Sequence, residues 1–353
     1  MIAIICRFRR LIVLSLAAVL AGTTGLVATP GVAFAPAALP AEAPRLLEEA
    51  PAEDEAPSHL ASRNGGCDGA SDDRSVGEVA ARGERLPIND EEDRAELILR
   101  ARRLRTNSPV EEPVVLDTDR LQRRTPRPEA QVPILMYHHI AVPGPNADAI
   151  RCDLSVSPAA FEAQMAYLAS HGYRTVSLLD LFEHLQSGQA LPARPIILTF
   201  DDGYDDNYTY AYPILRRYGL QGTFFIITGL VGRPGYLTWE QAREMRRGGM
   251  SLESHTCTHL DLTRSTPGHV DEEVKDSKAA LERELGGPVL FFSYPSGKYN
   301  AAVIAALEAN GYLGAVTTRH GTTQEASALY ELCRVRIRGS DTLETFAQKV
   351  ELP

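Results

Sequence analysis

Four short stretches of this 353-residue chain set reactive side chains directly after apolar runs. Pro195–Phe200 leads into Asp201-Asp202-Gly203, and Met250–Glu253 leads into Ser254-His255-Thr256-Cys257-Thr258-His259. Phe291–Tyr294 leads into Pro295-Ser296-Gly297, and Pro133–Tyr137 into His138-His139. Each stretch alone has a plain reading. Adjacent aspartates before glycine commonly build a turn or a helix cap. Two histidines four apart share a helical face and can grip one metal ion, yet such pairs are also common on surfaces. His138 can be a satisfied core histidine, and Met250 to Leu252 with Phe291 and Phe292 read as core. Their joint occurrence after separate apolar runs points to a site, because parallel α/β barrels open all their strand ends onto one bowl.

The elements that must position these groups are legible from Val132 onward. Expected strands are Pro133–Tyr137, Arg174–Val176, Pro195–Phe200, Gly222–Thr228, Met250–Glu253, Val289–Tyr294, Leu313–Thr317 and Cys333–Ile337. Helix-period segments alternate with them. Ser157-Pro158 supplies an N-cap and a first-turn proline before Phe161, Met165 and Leu168, and Gly172 stops that run. Thr238 with Gln241 forms a capping-box pattern. Val270–Leu285 and Asn300–Asn310 are further helices, each ended by glycine. Strand and helix alternating through roughly 220 residues predict an α/β domain with a mainly parallel sheet, open or closed into a barrel.

Ahead of Val132 the texture differs. Arg7, Arg9 and Arg10 precede an uncharged, largely apolar run from Leu11 to Ala28, and Ala33-Phe34-Ala35 fits a signal cleavage site. Residues 1–35 read as a signal peptide. The run over residues 11–28, at the lower limit for spanning, leaves a membrane anchor as the alternative. Cys6 lies before that run, where a lipid-attachment cysteine would not sit. Residues 36–130 read as a largely disordered linker, alternating Ala, Pro and Glu from Ala41 to Pro57, with a short surface helix at 91–105. The formal charge of −10 disfavours a nucleic-acid surface and is compatible with a polysaccharide partner. Cys67, Cys152, Cys257 and Cys333 are too few for a disulfide scaffold, though a Cys152–Cys333 bridge is conceivable.

Thr199-Phe200-Asp201-Asp202-Gly203, followed by Ser254-His255-Thr256-Cys257-Thr258-His259, resembles the first two motifs of the polysaccharide deacetylases of carbohydrate esterase family 4. Those motifs are T-F-D-D-G and H-[ST]-x-x-H, in that order, and the likeness covers residues 131–353 as a catalytic domain. The resemblance implies a distorted (β/α) barrel that removes N-acetyl groups from an N-acetylglucosamine-containing polysaccharide. It implies that Asp202, His255 and His259 hold one divalent metal, zinc by default with cobalt or nickel as alternatives. Asp201 matches the general base. Phe292-Ser293-Tyr294-Pro295-Ser296-Gly297 stands where a third motif, of the type R-x-x-x-P-Y, belongs. Tyr294, Pro295 and Ser296 are therefore expected against the substrate, with a backbone N–H near Ser296 on the oxyanion. The arginine that usually precedes this motif is absent, and Arg334 or Arg336 on the last strand is expected to orient Asp201. No L-x-x-H motif follows Leu313, whereas Leu135-Met136-Tyr137-His138 fits it at the start. That order resembles the circularly permuted branch, which includes exported poly-N-acetylglucosamine deacetylases, and makes His138 the acid rather than His320, read as lying in a polar loop. Strand alternation should turn His139 away from the bowl. Tyr204, Tyr294 and Trp239 can stack on sugar rings or serve the core. The implied location is periplasmic or extracellular.

Other readings stay open. Two histidines and a carboxylate also describe non-heme iron oxygenases, although the hairpin signals of their jelly rolls are missing. An inert carbohydrate-binding module of the same fold has no need of Asp201 and His138. A small-molecule amide hydrolase would use the same groups. Among polymers, the permuted order favours poly-N-acetylglucosamine over peptidoglycan and chitin-like oligomers.

Overall fold

The computed structural model describes residues 96–100, 102 and 126–351. The signal or anchor segment and most of the expected linker lie outside these residues. Among the described residues no helix is long and apolar enough to cross a membrane.

Strands β1 to β10 are Glu129–Gln131, Ile134–Tyr137, Arg174–Thr175, Pro195–Phe200, Thr223–Ile226, Ser251–Ser254, Phe291–Ser293, Gly314–His320, Thr323–Glu325 and Leu332–Arg336. Helices α1 to α8 are Ala149–Leu154, Pro158–Ser170, Leu178–Ser187, Tyr212–Arg217, Trp239–Arg247, Pro267–Leu285, Ala301–Ala309 and Leu343–Val350. The order β2-β10-β8-β7-β6-β5-β4 returns to β2 through a β2–β4 pairing, and the pairings round this ring are parallel. The result is a closed seven-strand (β/α) barrel. Closure sets β2, which leads into His138, beside β10, which carries Arg334, although the chain winds round the whole barrel between them.

Alternation along the strands sorts the core into two layers. Leu135, Tyr137, Leu198, Phe200, Leu252 and Phe292 face outward and pack with Phe161, Met245, Leu281 and Leu307 of the surrounding helices. Ile134, Ile197, Phe225, Phe291, Val316 and Leu332 form the inner layer together with Leu178, Leu179 and Phe182 of α3. Helix α3 thus covers the N-terminal mouth of the barrel. Each such side chain taken fully out of water contributes roughly 1.5–3 kcal/mol. The inner layer ends upward in polar side chains, and the site begins there.

The capping signals at Ser157 and Thr238 form as hydrogen bonds, Ser157 accepting from Ala160 N and Thr238 from Gln241 N. Helix α3 was not anticipated from the sequence, yet Ser177 and Asp180 mark its start with a reciprocal capping box. The antiparallel pair β1–β9 was likewise not anticipated. Within the expected linker, residues 96–100 and 102 are helical. Leu97 and Ile98 pack against the inner layer, and Arg102 Nε donates to the buried Glu183 of α3 at 2.8 Å. Cys152 and Cys333 are free thiols, so the Cys152–Cys333 bridge is not formed. Cys333 Sγ instead accepts from Arg319 Nε at 3.2 Å.

Candidate metal centre and active site

The innermost charged group is Arg334, 1% exposed. Its guanidinium forks onto Asp201, with Nη1 to Oδ1 at 2.8 Å and Nη2 to Oδ2 at 2.7 Å. Its remaining donors reach Thr317 O at 2.8 Å, Thr199 Oγ1 at 3.1 Å and Ser293 Oγ at 3.3 Å. Burial alone would push the Asp201 carboxyl up. The charge and hydrogen bonds of Arg334 more than offset that and hold it below the usual carboxylate range. Arg336 shares the face of Arg334 but sits one step higher, where it pairs with Asp153 at 2.7 Å.

Asp202, His255 and His259 bring one ligand atom each to within 4.8 Å of one another. Nε2 of His255 and of His259 lie 3.3 and 3.6 Å from Asp202 Oδ1. His255 Nδ1 donates to Ser293 O at 2.7 Å, which fixes the tautomer that leaves Nε2 free for a metal. A carboxylate oxygen and two imidazole nitrogens converging at this separation fit a divalent cation such as zinc. Burial raises the Asp202 carboxyl, but its hydrogen bond and charge interaction with His255 hold it far below the usual range. His255 responds in kind: the two aspartates raise its pKa against the effect of burial.

The histidine pair does not ride on a helix. It lies on a loop after β6, with Thr256 and His259 at φ of 68° and 63°. Asp202 and Ser296 are also left-handed, at 76° and 54°. Non-glycine residues in this region are strained, and such strain gathers at functional sites. The turn after β5 packs closely against the loop: Gly229 N donates to Cys257 O at 2.9 Å, and a Cβ on Gly229 would lie 2.5 Å from that oxygen.

His138 extends the inward parity of β2, and its Nε2 lies 4.0 Å from Asp201 Oδ2. That is beyond hydrogen-bonding contact, so the ring is not tied to the carboxylate. Burial lowers its pKa, and the nearby Asp201 and Asp202 only partly counter the effect. His139 points the other way. Its Nδ1 meets Asp206 Oδ2 at 2.6 Å, its Nε2 meets Arg151 Nη1 at 2.5 Å, and its ring stacks on Tyr204. Burial and the nearby Asp202 push the Tyr204 phenol up, and one face of its ring is already covered by His139.

Three expectations need correction, those for Tyr294, His320 and Pro295. Tyr294 does not face the centre: it is buried in the outer layer, stacks on Tyr299 and donates to Tyr330 O at 3.0 Å. Its inward neighbour Ser293 is the residue that touches the site, through Asp201 Oδ2 at 3.4 Å and Arg334. His320 lies on the exposed end of β8 rather than in a loop. Pro295 is buried, and Ser296 is exposed at the tip of a 3-10 turn. Trp239 packs half-buried against the outer core.

The polysaccharide deacetylase family profile matches residues 188–315. YxkH of Bacillus subtilis strain 168, which carries the polysaccharide deacetylase name, is 36% identical over 228 residues, covering 65% of this chain and 78% of that protein. The Streptococcus pyogenes deacetylase PplD, solved in complex with acetate, superposes with a TM-score of 0.59 at 35% identity, over 65% of this chain and 100% of that one. The poly-beta-1,6-N-acetyl-D-glucosamine N-deacetylase of Escherichia coli K12 is 28% identical over 240 residues, covering 56% of this chain and 36% of that protein. Likeness to YxkH over most of its length, on a barrel that gathers the motif residues at one mouth, shows that the chain belongs to the polysaccharide deacetylase family.

Proposed function

We propose that this protein hydrolyses the acetamide of N-acetylglucosamine units in a polysaccharide, poly-β-1,6-N-acetyl-D-glucosamine foremost, outside the cytoplasm. The observation that carries this reading is the pairing of a carboxylate and an untied imidazole, both suited to proton transfer, beside one cluster of candidate metal ligands. Asp201 is kept ionised by Arg334, and His138 stands 4.0 Å away. The name of the Escherichia coli relative supports the polymer, and the pattern of residues 1–35 supports export.

Asp202, His255 and His259 would hold the cation, zinc by donor type. When bound, it supplies Lewis acidity toward the acetamide carbonyl and toward water. Asp201 accepts the proton that the attacking water must lose. Arg334 occupies one side of each carboxylate oxygen and leaves lone pairs for that proton. His138 gives the departing sugar amine the proton it must gain. Its lowered proton affinity makes its acid form a ready donor. In the exposed turn Gly297 N and Lys298 N already donate to Tyr294 O and Pro295 O, so the Ser296 N–H is the backbone donor offered to the carbonyl oxygen as charge builds there.

Acetate release from poly-N-acetylglucosamine, peptidoglycan and chitin oligomers, with and without chelator, tests the proposal. Release should be greatest from poly-N-acetylglucosamine, stop with chelator and return with zinc. Turnover confined to small amides would overturn the polysaccharide reading.

A further inference from the structure

The strained loop that carries both histidines is held from outside the site by one carboxylate. Glu273 of α6 is 3% exposed. Its Oε2 accepts from Cys257 N at 2.8 Å and Thr258 N at 2.9 Å, and its Oε1 accepts from Thr258 Oγ1 at 2.6 Å. With three donors already on its oxygens, Glu273 is not a ligand in waiting. One turn along α6, Ser277 Oγ meets Ser254 Oγ at 2.7 Å, and Ser254 Oγ accepts from Thr256 N at 3.3 Å. From the opposite side, Thr228 N and Gly229 N donate to Thr256 O and Cys257 O at 3.1 and 2.9 Å. Residues 256–258 thus have their backbone groups pinned from two elements, while Thr256 and His259 stay in a backbone region that β-branched and bulky side chains avoid. Left unpinned, this loop would relax toward ordinary φ values. That would swing the His259 ring off Asp202, since among the described residues the ring has no partner as close as the Ser293 carbonyl that fixes His255.

We infer that Glu273 is a positioning residue of the metal centre. It holds the His255–His259 loop in the shape that sets the two imidazoles on Asp202. The inference rests on the reading of Asp202, His255 and His259 as the metal site. Two backbone N–H groups one residue apart converge on a single oxygen, an arrangement that suits an anion. A glutamine keeps the shape and can turn its NH₂ to the Thr258 hydroxyl, which also accepts, but it brings a neutral oxygen to the two N–H groups and so loses the charge-assisted part of both bonds.

Zinc affinity of the full-length chain, measured by competition with a chromophoric chelator, tests this together with the thermal midpoint of the metal-free protein. Glu273→Ala should weaken zinc binding roughly 10–100-fold, the usual effect of losing a group that orients metal ligands. Glu273→Gln should fall between it and the parent. Zinc should also raise the midpoint of Glu273→Ala less than it raises that of the parent. A zinc Kd within about twofold of the parent, with only the metal-free midpoint lowered, would reduce Glu273 to a structural residue and overturn the inference. Should Glu273→Ala fail to fold, a parental Kd for Glu273→Gln overturns it equally. His255→Ala keeps the two ideas apart: if that variant binds zinc as the parent does, the metal-site reading itself has failed.

Discussion

Replacing Arg334 by methionine isolates the strongest electrostatic contact in the barrel. The guanidinium and the Asp201 carboxylate are both buried, and they share two hydrogen bonds of 2.8 and 2.7 Å. Methionine fills similar space with no charge, so the carboxylate is left alone in the barrel interior. Breaking such a pair from one side costs about 3–5 kcal/mol, a large share of the roughly 5–15 kcal/mol that holds a domain folded. Urea unfolding of the parent and Arg334→Met at several pH values reads the cost. The sign differs between them. In the parent, the folded pKa of Asp201 is depressed. The pair's contribution is therefore complete above the unfolded carboxyl value, about 3.9, and is lost as pH falls through the depressed folded value. In the variant, burial is opposed only by the charges of His255 and His138 and raises the folded pKa, so protonation relieves the buried charge and the deficit against the parent shrinks as pH falls from 7 toward 5. Adding Asp201→Asn should recover most of the loss and flatten the pH dependence, leaving about 1 kcal/mol for each lost bond to Thr199, Ser293 and Thr317. A deficit below about 1 kcal/mol, or one that does not change with pH, would refute the account of Asp201 as a base kept ionised by Arg334.

His138→Ala should lower turnover roughly 10²–10⁴-fold with metal content unchanged, while His320→Ala stays near the parent. Because burial depresses the His138 pKa, its acid form is lost as pH rises through a value below about 6.5, and that alkaline limb of the kcat profile should vanish in the variant. Asp201→Asn should bind zinc normally and lose turnover, and loss of zinc would mean that both aspartates are ligands. Gly229→Ala should cost about 1–3 kcal/mol, because its Cβ would meet Cys257 O at 2.5 Å; an unchanged thermal midpoint would show that the turn and the metal loop separate freely.

Much of the site was legible because reactive residues followed strands whose apolar runs were unmistakable. What failed was parity. Phe291 and Phe292 are both apolar, so β7 shows no alternation from which to tell its faces, and Tyr294 was read as facing the substrate. In the structure Phe291 joins the inner layer and Phe292 the outer, which puts Ser293 inside and Tyr294 outside. On β4 the same period was readable: Ile197, Thr199 and Asp201 share one parity, and the threonine amid apolar residues marks the rising polarity of the interior. The histidine pair misled in another way. Spacing of four suggests a helical face, but hydrogen bonds from α6 and from the turn after β5 stabilise a left-handed loop that local sequence does not encode.

Depth along the barrel was harder to read than parity. Arg334 and Arg336 are two apart on one strand and face the same side, so sequence alone could not choose between them. Register decides. Arg336 lies opposite Met136 of β2, close enough to the mouth to reach Asp153, whereas Arg334 lies deeper and donates to Thr317 of β8 and Thr199 of β4. The chemistry asks only for a fixed cation behind the base, at one height within the barrel. In a closed barrel every strand borders that interior, so an inward residue on any strand of suitable register can provide the charge. In the proposed mechanism the last strand therefore takes the place of the missing third-motif arginine, and closure against β2 brings Arg334 and His138 to the same carboxylate from opposite ends of the domain.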